Sequence, residues 1–198
     1  MINRAHKILI FLIICFSSYG CIFSQVKQTD YNLFQAKEFS KEIALYNSKK
    51  FLFKNVLGSS PEIIQFEVIP LAAASSGELT TLLYKSEGEN KEGLILGFYG
   101  NYYNDNGVSF QGYAFKNLNR DQATAFLAKI EKAIIDNKSF LRDNNDNNNI
   151  SFQFEDMEVL IWTSMGSYTI RVFWQQFDST WEETAYERSK RRFERKIK

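Results

Sequence analysis

The side chains that do most chemistry near neutral pH are confined to one end of this chain. Its only histidine is His6, and its only cysteines are Cys15 and Cys21. From Gln25 to Lys198 there is neither His nor Cys. That stretch therefore cannot hold a Ser-His-Asp triad, a Cys-His pair or a Cys/His zinc site. What remains for chemistry is carboxylates, amides, tyrosines and cations, and these fall into four groupings.

Glu155, Asp156 and Glu158 cluster in the chain. Two carboxylates suffice for glycoside hydrolysis, one as acid and one as base or nucleophile. Their spacing in sequence does not fix their separation in space, and a solvated turn is the plainer expectation. A second grouping is Asp143, Asn145 and Asn147, at alternate positions as in an EF-hand loop. Asn148 stands where the sharp-turn glycine belongs and Phe154 where the bidentate glutamate belongs. The segment reads as a polar loop, and no metal site is expected.

Tyr99, Tyr102, Tyr103 and Asp105, with Asn101 and Asn104, gather near an expected hairpin tip. Aromatic faces beside amide and carboxylate groups can bind sugars or peptides, which makes these four the candidate ligand residues. The competing reading has Tyr99 and Tyr103 on one strand face as core. The fourth grouping is basic. Arg191, Arg192, Arg195 and Lys196 lie on an expected last helix and could meet an anionic surface, with at least three of them exposed. Against this, cations suit a helix C-terminus, and pairs such as Glu187–Arg191 can offset the charge. No cofactor is implied. The glycines of GLILGFYG (Gly93, Gly97, Gly100) sit in a strand pattern with no helix following, so they suit close packing rather than phosphate.

The N-terminus explains where the missing side chains went. Arg4 and Lys7 precede an unbroken apolar run from Ile8 to Phe16, and no acid occurs before Asp30. The run has export-signal length and is too short to cross a bilayer core of about 30 Å. Residues 1–24 are expected to be removed, with small Ser24 at the cut and Gln25 as the new terminus. The alternative is lipidation of Cys21, because Ser18-Tyr19-Gly20-Cys21 resembles a degenerate bacterial lipobox. An exported chain without structural cysteines fits a bacterial envelope, periplasmic or extracellular.

Removing residues 1–24 takes away Arg4 and Lys7 and no acid. The rest carries 22 basic and 23 acidic side chains, a net charge of −1. Such a balance gives no support to nucleic-acid binding. Seven of those cations fall between Arg188 and Lys198.

The elements that must position these groups follow from periodicity. Leu33, Ala36, Phe39, Ile43 and Tyr46 mark a helix over about 30–47, capped by Thr29 or Asp30. Period two then gives strands at 62–69, 79–85, 93–103 and 108–117, an antiparallel meander. Asn106-Gly107 marks the last hairpin, with positive φ expected at Gly107. Asn119 and Gln122 form a capping box for a helix at about 120–137, whose buried stripe is Ala123, Phe126, Leu127, Ile130 and Ile134. Strands resume at 150–154, 157–163 and 168–177. Asp178 or Ser179 would cap a last helix over about 180–197, with Trp181 on its inner side.

The expectation is one α+β domain over 25–198, built on a single antiparallel sheet of about six strands with helices packed on it. Strands 157–163 and 168–177 carry bulk on both faces. Either helices cover both faces, or one aromatic face is open. The expected function is non-catalytic: an exported envelope protein that binds or assembles with an envelope protein, glycan or lipid. The alternative is a small carboxylate-dependent glycan hydrolase. A buried carboxylate pair in a cleft would favour the hydrolase, and an open apolar face the binding protein.

The export reading has a direct check. Mass spectrometry of the native protein is expected to find an N-terminus at Gln25 or an acylated Cys21, and Cys21→Ser releases the protein from membranes only in the second case. An intact Met1 terminus in the cytosol would overturn both.

Overall fold

The computed structural model describes residues 34–35, 41–58, 60–88, 90–103, 106–142 and 147–197, the side chains of 34, 35, 41 and 103 excepted. The elements run β1 (Phe34–Gln35), α1 (Lys41–Leu52), a π turn (Phe53–Leu57), β2 (Phe66–Ala73), β3 (Leu79–Ser86), β4 (Lys91–Tyr103) and β5 (Ser109–Asn119). Then come α2 (Arg120–Asp136), the short α3 (Lys138–Arg142), β6 (Asn149–Phe154), β7 (Met157–Ser164), β8 (Ser167–Trp174), β9 (Phe177–Glu182) and α4 (Glu183–Lys196). The class is α+β with antiparallel pairing, as the patterns imply, but the strands divide between two sheets rather than one. The first has the order β1-β5-β4-β3-β2 and the second β6-β7-β8-β9.

The meander of the first sheet forms as expected, except that its first strand runs Phe66–Ala73 through Pro70 rather than over 62–69. Pro70 sits on the edge strand β2, where its missing N–H costs no ladder bond. The register slips between Pro70 and Ala72, and Thr81 Oγ1 accepts from the Ala72 N–H at this bulge. Tyr103 pairs with Ser109, so a five-residue connection joins β4 and β5 in place of a two-residue turn. Gly107 has the expected positive φ, +73°. Asn104 and Asp105 lie outside the described residues.

The first helix departs from expectation. Phe34–Gln35 pairs with Tyr113 and Gly112 as a strand, and the helix begins at Lys41. The expected caps and the rest of 30–40 lie outside the described residues. Ile43 and Tyr46 are 41% and 67% exposed, whereas Ala44, Asn47, Ser48, Phe51 and Leu52 are buried. A stripe counted from Leu33 assumes one unbroken helix. Once 34–35 pairs as a strand, the phase of everything after it is free to change.

The second sheet is tighter. Its turns, Glu155-Asp156, Met165-Gly166 and Gln175-Gln176, each have two residues. The first residue of each turn has positive φ, at 52°, 50° and 53°. Such turns fix the register. Residues 177–182 are therefore a fourth strand, not the start of the last helix. Phe177, Ser179 and Trp181 pair with Trp174, Val172 and Ile170. No side chain caps α4 at Glu182. Trp181 is buried as a strand residue, while Ala185, Tyr186, Ser189 and Phe193 form the inner side of α4 as expected.

Two cores result. One lies under α1, between it and the first sheet, and includes Leu52, Leu82, Tyr84, Ile95, Tyr113 and Phe115. The larger lies on the other side of that sheet and takes in α2, α4 and the inner face of the second sheet. Phe98 joins the sheets, its ring 5.1 Å from Trp174 and 6.1 Å from Phe177. Phe126 of α2 lies 5.1 Å from Phe154 and 6.4 Å from Trp181. The capping box is present, with Gln122 N–H donating to Asn119 Oδ1 and Asn119 N–H to Gln122 Oε1.

Gly93 and Gly97 are buried for the packing reason inferred from the sequence. A Cβ on Gly93 would lie 2.2 Å from the Leu118 carbonyl oxygen, and one on Gly97 2.5 Å from Thr80 Oγ1. Gly88 has nothing within 4 Å of such an atom. Gly93→Ala is expected to cost about 1–3 kcal/mol as overpacking against backbone, and Gly88→Ala less than about 0.5 kcal/mol. Urea unfolding of both variants checks this, and equal costs would refute the contact at Gly93.

Candidate functional site

The two-residue turns of the second sheet sort its side chains by parity. Met157, Val159, Ile161, Tyr168, Ile170, Val172, Trp174, Phe177 and Trp181 are buried on the inner face. The other face carries Glu158, Leu160, Trp162, Thr169, Arg171, Phe173, Asp178 and Thr180. Leu160, Trp162 and Phe173 are half-buried there and belong to neither core. Each of the helices α1 to α4 sends its buried apolar side chains into one of the two cores instead. The register places Leu160 opposite Arg171 and Phe173 opposite Glu158, so the three apolar groups run diagonally across β7 and β8. Arg171 binds Asp178 across to β9, which raises the guanidinium pKa further. The result is an apolar stripe with a charged rim. The bulk seen on both faces of these strands thus divides between an inner face packed in the larger core and an outer face that no described helix covers.

The tyrosine grouping does not converge. Tyr99 packs toward the α1 core, its ring 4.8 Å from Tyr113 and its hydroxyl 3.3 Å from Gln111 Oε1. Tyr102 is buried in the other core, 6.3 Å from Phe177 and 5.7 Å from Phe110. An odd and an even position on one strand face opposite ways. The side chain of Tyr103 and all of Asp105 lie outside the described residues.

The carboxylate grouping also separates. Glu158 belongs to the open face. Glu155 and Asp156 share the ammonium of Lys116, at 3.4 and 2.6 Å. Asp156 also accepts from Trp174 Nε1 at 2.9 Å, and Glu155 from Gln122 Nε2 at 2.6 Å. Partial burial works to raise the Asp156 pKa, but the bonds from Lys116 and Trp174 outweigh it and hold the carboxyl below its usual range. A general acid needs the opposite shift. These two carboxylates tie the β6–β7 turn to β5 and satisfy a buried indole.

The basic grouping is split. Arg191 and Arg195 are exposed. Arg192 is half-buried and donates to the Leu71 carbonyl of the edge strand β2. Lys196 is half-buried, and its carbonyl accepts from Lys85 Nζ. The expected exposure of three of these four residues is therefore not met, because α4 lies along β2 and uses one flank to pack. Lys190, rather than Arg191, makes the ion pairs of this helix, 3.0 Å to Glu131 and 2.9 Å to Glu194. Beside them Tyr186 donates to the Leu127 carbonyl at 2.8 Å, and burial with neighbouring glutamates pushes its phenol far above the ordinary value.

Cys21 and residues 143–146 of the Asp/Asn loop lie outside the described residues. Among the described residues no group of His, Cys, Asp and Glu is placed to hold a metal ion, and no helix is long and apolar enough to cross a membrane. No family model, curated protein or solved structure matches the chain. Sequence reading missed Arg188, which stands beside Arg192 at a groove between α1, β2 and α4. Its spacing four residues before Arg192 was the available signal.

A lowered Asp156 pKa has a testable sign. Stability from this carboxylate is fully present above its unfolded pKa of about 3.9 and is lost as pH falls through the folded value. Asp156→Asn is expected to lower the melting temperature at pH 7, and the gap to the parent chain should close as pH drops below about 4. A gap that stays constant down to pH 2 would show that the ionised carboxylate contributes nothing.

Proposed function

We propose that this chain is an exported envelope protein that acts without catalysis, holding a protein partner on the open face of the β6–β9 sheet. One observation carries the reading: Leu160, Trp162 and Phe173 lie together outside both cores, on a sheet face that no described helix covers. A sheet face meant only for water alternates apolar-in and polar-out. This one places a Trp, a Phe and a Leu outward, ringed by Glu158, Arg171 and Asp178. Aromatic anchors with Arg beside them and a charged rim are the usual make-up of a protein interface.

Export rests on the N-terminal pattern, with Arg4 and Lys7 before the apolar run from Ile8 to Phe16. Delivery follows by removal of residues 1–24 or by an anchor on Cys21. The hydrolase alternative draws no support from the geometry, since Glu155 and Asp156 are engaged by Lys116 and Gln122 rather than facing each other across a cleft.

The test compares the parent chain with Trp162→Ala and Phe173→Ala against the partner captured from envelope extract and then purified. Each change is expected to weaken binding by about 2 kcal/mol, roughly 30-fold in Kd, with little change in melting temperature. Undiminished binding by the double variant would reject this face as the contact surface.

A further inference from the structure

The C-terminal helix segregates its charge. Glu183, Glu187 and Glu194 lie with Lys190 on the flank toward α2, where Lys190 is paired to Glu131 and Glu194. Arg188, Arg192 and Arg195 fall within roughly a 60° arc on the other flank, by helical geometry, while Arg191 stands at the border and also lines the acidic side. No described acid pairs with any of these four. A three-arginine stripe without acids carries a self-repulsion that an anionic ligand would relieve.

Under this stripe lies a groove of about 330 Å³. Its walls are Leu45 of α1, Pro70 and Ala73 of the β2 edge, Leu82 of β3, and the two guanidinium groups of Arg188 and Arg192 on α4. No acidic side chain lines it. Two threonine hydroxyls also border it, but both are engaged within the fold. Thr80 donates to the Gly97 carbonyl, and Thr81 accepts from Ala72 N–H and lies 2.7 Å from Ser189 Oγ. The groove is thus apolar apart from its two cations. Arg192 is also aimed: its bond to the Leu71 carbonyl fixes the plane of the guanidinium and leaves the rest of its five donors for another acceptor. Arg188 is exposed one turn away.

We infer that this groove binds a single-chain anionic amphiphile of the fatty-acid type. The alkyl chain lies on Leu45, Pro70 and Leu82, and the carboxylate meets Arg188 and Arg192. Charge complementarity selects the head, because an arginine pair without a competing acid is matched to a planar carboxylate. Size selects the tail, because the volume is at the low end for small-ligand pockets and suits one chain rather than two. This site is separate from the open face of the β6–β9 sheet.

The probe is dodecanoate, kept below its micelle-forming concentration and titrated calorimetrically into the full chain. One-to-one binding is expected, gaining about fourfold in affinity for each added methylene from decanoate to dodecanoate and weakening as salt rises. Dodecanol, with the same tail and no charge, is expected to bind at least tenfold more weakly, and acetate and inorganic phosphate not measurably. Arg188 is exposed and pairs with no described acid, so Arg188→Gln should cost tenfold in affinity at an unchanged melting temperature. Ala73→Trp, at an exposed position on the groove wall, should block binding. Arg192→Gln also removes the cap on Leu71, so Arg188→Gln and Ala73→Trp are the deciding variants. The proposal is overturned by equal binding of dodecanol and dodecanoate, by binding that survives both of those variants, or by no binding of dodecanoate. Binding only to anionic phospholipid vesicles would overturn it too, and would assign the arginine stripe to a membrane surface.

Discussion

Phe98 stands where the two sheets meet. Its ring is fully buried between Trp174 and Phe177, at opposite ends of the turn that joins β8 to β9. That contact sets which face of the second sheet points inward. Because the side chains of a strand alternate, it also sets which face points out. The two-residue turns carry the choice through all four strands, since a slip of one residue would turn every side chain over. Polar groups lock the same joint. Trp174 can be buried because its indole N–H finds Asp156, and Asp156 in turn is held by Lys116 of the other sheet. The outward stripe of Leu160, Trp162 and Phe173 is therefore the necessary reverse side of the aromatic joint.

Two open sheets have four edges, and this molecule covers three of them with charge. The Thr180 N–H on the edge strand β9 donates to Glu78. The Gln153 carbonyl on β6 accepts from Lys129 at 2.8 Å, whose ammonium also lies 5.0 Å from the centre of the Phe152 ring. The Leu71 carbonyl on β2 accepts from Arg192. Charged side chains on edge backbone groups discourage pairing with another strand. Strand addition is thereby disfavoured at three of the four edges, the fourth being the two-residue β1.

The helix α4 has two unlike flanks. Its acidic flank is neutralised through Lys190 and packs beside α2. Its last carbonyls are closed by cations from elsewhere, Lys85 on Lys196 and Arg120 on Ile197 at 2.9 Å, so its own arginines are not needed as C-terminal caps. That frees Arg188 and Arg195, and no acid lines the apolar groove beside this basic helix end.

Some features were legible in the chain because nearest neighbours decide them. The Asn119–Gln122 capping box, the positive φ of Gly107 and the stripe of α2 depend on atoms within a few residues, and each appears as the pattern implies, with Ile134 of the stripe half-buried. Close packing at Gly93 and Gly97 was legible because a glycine inside an apolar strand has few other uses. The open aromatic face was one of two readings of strands with bulk on both sides. Tertiary structure alone decided the rest. Residues 177–182 (FDSTWE) suit a strand as well as a capped helix start, and only pairing with β8 chose the strand. The division into two sheets depends on which strand finds which across the chain, and hydrophobic period carries no address. The face of α1 depended on the pairing at Phe34–Gln35, and the meeting of Arg188 and Arg192 with Leu45 and Pro70 on contacts more than a hundred residues apart. Sequence by itself determined the local conformations and the absence of His and Cys chemistry beyond residue 24. Burial is a property of the whole packed chain, so only the fold decided which polar and aromatic groups stay outside the cores.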